Sequence, residues 1–145
     1  MKLVKSRYWE TSGLSECIVT HKGKDYYGRA FLHPDDEEAN LGSKYTGCRY
    51  AEIRAEIKAL KDEYKIEKKA CDECRKFVKA CIQYKNFDKE SPTAKAIFTQ
   101  LNKRIKRVNK IVDKINQKIQ DLDTAIKQKE IVSNALARKK SKKDN

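Results

Sequence analysis

The sequence predicts an α+β protein: a small antiparallel β-hairpin unit followed by a long antiparallel helical hairpin, coiled-coil-like and oligomeric. Three observations carry that expectation. Two short runs of strand-forming residues flank a glycine early in the chain. Two later stretches repeat apolar residues three and four apart over many turns. Charged residues make up 38% of the 145-residue chain and the apolar class 39%, which suits long helices with narrow seams better than a thick core. The chain divides into an N-terminal arm and β-hairpin unit (1–47), a helical hairpin (48–138) and a basic disordered tail (139–145).

Residues 1–14 are mixed in character, with Tyr8 and Trp9 as packing anchors, and read as a loose arm or an edge strand. Residues 15–32 form the hairpin. Cys17, Ile18, Val19 and Thr20 favour a strand, as do Tyr26, Tyr27 and Phe31. Gly23-Lys24 between them predicts a two-residue type II′ turn, with glycine first. Alternation puts Tyr27 and Phe31 on one face and Tyr26 and Ala30 on the other. His33-Pro34-Asp35-Asp36-Glu37-Glu38 then stops the ladder. Its aspartates read as local turn chemistry rather than a metal or acid/base site.

The first helix spans 48–83, after Gly47. Its seam is Ile53, Ile57, Leu60, Tyr64, Glu67, Cys71, Cys74, Val78 and Cys81, alternating four and three. A short connection at 84–91 makes the next helix its antiparallel neighbour. Ser91-Pro92 reads as an N-cap and first helical residue. After Pro92 neither Gly nor Pro occurs. Phe98, Leu101, Ile105, Val108, Val112, Ile115, Ile119, Leu122 and Ile126 keep a heptad seam along a helix roughly 70 Å long. Two helices zipped on one seam leave Phe77, Ile97 and Ile111 uncovered, and the hairpin has open edges. A homodimer or higher oligomer is therefore expected, paired through the β-hairpin and the adjoining helix.

The net charge of +13 is uneven. Residues 1–47 carry 7 basic and 7 acidic side chains, 48–90 carry 12 and 9, and 91–145 carry 15 and 5. The positive field sits on the last helix, where it attracts phosphate. Lys103, Arg107, Lys110, Lys114 and Lys118 share one face, with Asp113 the one acid inside the run. Lys103 and Lys110, with Arg49 on the first helix, are the candidate anion-binding residues. Arg49 and Arg54 beside Tyr45 and Tyr50 read either as a nucleotide pocket or as ordinary helix surface.

Five cysteines without a signal-like or membrane-spanning run point to a reducing cytosolic setting. Cys71-x-x-Cys74 with Cys81 lacks a second ligand pair, so these residues read as small apolar seam positions and no metal site is expected. No Gly-rich phosphate loop, nucleophile elbow or paired histidine ligands appear. A non-enzymatic protein without cofactor follows.

Tyr27-Gly28-Arg29-Ala30, His33-Pro34-Asp35-Asp36, Gly47-Cys48 and Ala51-Glu52-Ile53-Arg54-Ala55-Glu56-Ile57-Lys58 resemble small accessory proteins of temperate phages of low-GC Gram-positive bacteria. Among these, the chain resembles the Thoeris anti-defence sponges. The resemblance covers residues 25–60 and the helical layout of 61–126, and the lysine-rich end beyond Glu130 has no counterpart in it. It implies a protein of the host cytoplasm that binds a cyclic ADP-ribose-type or cyclic oligonucleotide immune signal and holds it undegraded. It also implies a grip by helix arginines and an aromatic residue: Arg54, Phe87, Arg104 and Arg107, with Asn86 and Asp88 as polar partners. A nucleic-acid-binding protein using the basic helix is the alternative, and a structural phage assembly component is a third.

Overall fold

The computed structural model describes residues 1–31 and 44–143, with side chains at 1–31, 46–128, 135 and 138. The acidic run from His33 to Glu38, Gly42, the Tyr45 side chain and the side chains of 139–145 lie outside it. Strands β1 (Lys2–Trp9), β2 (Leu14–His21) and β3 (Lys24–Phe31) precede helices α1 (Lys44–Ile82) and α2 (Pro92–Lys143). The strands form one antiparallel sheet in the order β1-β2-β3, so the α+β class holds. The chain packs as two compact units, one of Met1–Ala59 with Asn116–Asn145 and one of Leu60–Ile115. Each long helix thus serves both units, whereas the sequence reading divides the chain linearly at 47/48.

In the sheet unit, the stretch read as arm or edge strand is an edge strand. β1 pairs with β2 from Lys2↔Thr20 to Trp9↔Leu14, with an irregularity between Leu3 and Lys5. The turn that follows is closed by Gly13 N–H donating to Trp9 O at 2.8 Å, and Gly13 has φ 68°. The β2–β3 turn corrects the expectation. His21 pairs with Lys24, so the loop is Lys22-Gly23, one residue earlier than read. Both have positive φ, 50° and 78°, which is the type I′ geometry. That turn matches the right-handed strand twist, and Lys22 takes the left-handed strain to obtain it.

One sheet face is buried and built of small residues. Ser15, Cys17 and Val19 of β2 and Gly28 and Ala30 of β3 turn inward. Cys17, Ala30, Tyr50 and Ala51 form a core cluster, with Cys48, Leu122, Ala125 and Ile126 packed against it. The Tyr50 hydroxyl donates to Ala125 O at 3.1 Å, tying α1 to α2 inside this unit. Gly28 is where helix and strand come closest: a Cβ there would fall 1.8 Å from Ala51 O and 2.6 Å from Ala55 N. Gly47, expected just before the helix, lies inside it, because α1 begins at Lys44. A Cβ on Gly47 would meet Ser15 Oγ at 2.4 Å, so a bare backbone lets the first turn of α1 lie against β2.

In the helical unit, the α1 seam is as read: Leu60, Cys71 and Val78 are buried, and Tyr64, Glu67, Cys74 and Cys81 are half-buried. The turn after Ile82 leads to Ser91, which caps α2. Ala94 N–H donates to Ser91 Oγ at 3.1 Å and Lys95 N–H to Ser91 O at 3.1 Å. The α2 seam drifts from the heptad template. Ile111, expected uncovered, is 5% exposed. Ile119, expected in the seam, is 39% exposed, and its neighbour Lys118 is half-buried instead. A straight helix drifts about 20° per heptad against a seven-residue repeat, so the buried line walks off the a/d positions. α2 also runs to Lys143, past Arg138 where a disordered tail was expected to start. Lysine is a good helix former.

Candidate functional site

The helical unit contains a groove of about 520 Å³. Cys74 and Phe77 on α1, spaced on one helical face with Ala70 and Glu73, form one wall. Thr93, Ile97, Gln100 and Arg104 on α2, with Ala96, form the other. Ala70 and Ala96 carry only a methyl group, which leaves the space open. Phe77 is 58% exposed and offers a flat apolar wall. Thr93 and Gln100 add polar groups. Arg104 is half-buried and lines the groove, where a guanidinium fork suits a phosphate. From Thr93 to Arg104 the groove runs about 16 Å, from 1.5 Å per residue. An apolar wall with polar groups, the Arg104 cation and the Glu73 carboxylate can stack a nucleobase and offer one cation to a phosphate, against the repulsion of Glu73.

The other residues expected to grip a ligand are placed differently. Phe87 packs edge-on against Phe98, with ring centroids 6.2 Å apart, and is half-buried. Asp88 builds the turn: its Oδ1 accepts from Glu90 N–H at 3.0 Å, and its carbonyl accepts from Ser91 N–H at 3.2 Å. Asn86 is exposed in the same turn. None of these three lines the groove. Arg107 is exposed one turn beyond Arg104 and is also outside the groove. Of the ligand-binding set, Arg104 alone is a groove residue. Phe77, Thr93 and Gln100 were missed as site residues, although Phe77 stood out as an uncovered side position.

Arg54 belongs to the sheet unit and has a structural task. Its Nη1 donates to Arg29 O at 2.6 Å, and Lys58 Nζ donates to Tyr27 O at 2.8 Å. β3 is a sheet edge, so these two α1 cations satisfy carbonyls that would otherwise invite another strand. Arg49 reaches Glu52 at 3.3 Å and Glu56 at 3.9 Å. Glu56 is 7% exposed and also pairs with Lys118. Lys118 therefore neutralises a buried carboxylate instead of extending the basic face. The remaining members of that face, Lys103, Arg107, Lys110 and Lys114, are all exposed.

The five cysteines are free thiols. Cys17 donates from Sγ to Cys48 O at 3.0 Å, and burial pushes its pKa up, so it is a protonated packing residue and not a nucleophile. Among the described residues no group of three His, Cys, Asp or Glu side chains is placed to hold a metal ion. No described helix is long and apolar enough to cross a membrane. No family model, no curated protein and no solved structure matches this chain.

Proposed function

We propose that the protein is a non-enzymatic phage accessory protein that binds a small anionic nucleotide and sequesters it as a host immune signal. The groove with Phe77 and Arg104 is the observation that carries this reading. Its volume of about 520 Å³ falls within the few hundred to 1,000 Å³ of small-ligand pockets. The resemblance of residues 25–60 to phage anti-defence sponges supports the class of ligand, a cyclic ADP-ribose or cyclic oligonucleotide. Ile66, 64% exposed and outside the groove, favours a homo-oligomer. Calorimetry with cyclic ADP-ribose and with cyclic dinucleotides at 200 mM salt tests the proposal. Micromolar binding is expected, weakened about tenfold or more in Arg104→Ala, since a hydrogen bond to a charged group contributes about 1.5–3 kcal/mol. No heat with either ligand class, and no small molecule released on heating protein purified from signal-producing cells, would defeat it.

A second reading is binding of double-stranded nucleic acid along α2. Lys103, Arg107, Lys110 and Lys114 favour it, because they recur at three and four and are all exposed. Four phosphate contacts would give a log–log salt slope of about −3.6. Duplex affinity that falls this steeply, and that drops in Lys110→Ala with Lys114→Ala, would replace the sponge reading if the groove binds nothing.

A further inference from the structure

The outer face of the sheet carries a pattern that the groove does not use. Because Ser15, Cys17 and Val19 face the helices, the even residues of β2 face the other way. The register then places three cross-strand rows on that face. The first is Trp9–Leu14–Phe31, the second Arg7–Glu16–Arg29 and the third Lys5–Ile18–Tyr27. Successive rows are about 7 Å apart, two residues along a strand. Phe31 is 72% exposed, Tyr27 49% and Trp9 38%. Leu14 and Ile18 are half-buried between them. Glu16 is held by Arg29 Nε at 2.8 Å, which leaves Arg7 and Lys5 uncompensated on this face among the described residues.

Aromatic rings alternating with cations on a twisted sheet match what a single strand of nucleic acid presents. Bases stack on the rings, and phosphates between them meet arginine and lysine. The three rows carry Lys5, Arg7 and Arg29 against one carboxylate, Glu16, a net positive face that suits a polyanion. We infer that the outer face of the β1–β3 sheet is a stacking platform for a short single-stranded nucleic acid. Trp9, Tyr27 and Phe31 receive bases, and Arg7 and Lys5 receive the backbone. This surface stands apart from the groove reading, so either can fail alone.

Trp9 is the one tryptophan in the chain, which makes its fluorescence a reporter of this face. The experiment titrates the full-length protein with the octamers dT8 and U8 at 100 mM salt and follows Trp9 emission. Quenching that saturates at micromolar oligonucleotide is expected, with the two arms separating DNA from RNA preference. Phe31→Ala should weaken binding at least fivefold, and the Lys5→Gln, Arg7→Gln pair should flatten the salt dependence. Both changes are on exposed side chains, and circular dichroism melts check that the fold is kept. Arg104→Ala and Lys110→Ala should leave the quenching curve in place. The inference is overturned if neither octamer quenches Trp9, if quenching survives unchanged in a Tyr27→Ala, Phe31→Ala double variant, or if Lys110→Ala abolishes it.

Discussion

In the sheet unit, small residues bring backbones together: Gly28 meets Ala51 and Ala55, and Gly47 lets α1 lie on Ser15. In the helical unit, Ala70 and Ala96 are equally small, but they border open space. The same economy of side chain makes a tight contact in one unit and a groove in the other. What differs is what stands opposite. At Gly28 no side chain intervenes, and the α1 backbone lies within van der Waals reach of β3. Helix axes stand about 8–10 Å apart depending on the side chains between them, and at Ala70 and Ala96 those side chains leave open space. The lesson is that a small residue predicts proximity only where a second backbone is already held in place.

Substitutions break this comparison most sharply at Gly28. Gly28→Ala should cost about 3 kcal/mol or more, because its Cβ would sit 1.8 Å from a backbone oxygen that cannot rotate away. Urea unfolding would measure it, and a loss below about 1 kcal/mol would show that α1 is free to lift from β3. Next in size is Lys118→Ala. Among the described residues it leaves the nearly buried Glu56 with only Arg49 at 3.9 Å, and a cost of about 2 kcal/mol is expected. If Lys118→Ala and a Glu56→Gln, Lys118→Ala double variant unfold at the same urea concentration as the parent, the pair contributes nothing to the sheet unit. Ala96→Leu is the counterpart of Gly28→Ala in the helical unit. Its larger side chain enters the groove, so stability should change by less than about 0.5 kcal/mol while nucleotide binding falls. A large destabilisation would mean that the groove is not open.

The smallest effect is one of pH. A thiol whose pKa is higher folded than unfolded keeps its proton longer in the folded state. For Cys17, raised by burial from 9.0, that contribution is whole below about pH 9 and is lost as pH rises through the folded value. The urea midpoint should therefore fall between pH 8 and 10 slightly more in the parent than in Cys17→Ala. Parallel curves would remove Cys17 from the stability of the sheet unit.

Local signals made much of this architecture legible. Ser91-Pro92 announced the start of α2, since a hydroxyl cap and a missing N–H act within one turn. The α1 seam from Leu60 to Cys81 followed from periodicity alone, because a helix fixes which residues share a face whatever its partner. The β2–β3 turn was legible to within one residue, and the slip came from the free choice between two glycine turns that differ only in strand pairing. The site was less readable. Arg54 and Arg104 are the same residue type on similar helices, yet one satisfies a strand carbonyl and the other lines a groove.

The sequence by itself determined the β2–β3 hairpin, two long helices, the cap between them and the excess of positive charge toward the C-terminus. These depend on interactions that reach only a few residues along the chain. Residues 1–14 fit an arm or an edge strand equally, and only pairing with β2 decides it. Tertiary structure alone decided which sheet face is buried, that Ile111 is covered while Ile119 is not, and which cations are spent on carbonyls and carboxylates. Each of those outcomes depends on a group far away in sequence arriving at a few ångströms. No local propensity encodes that distance.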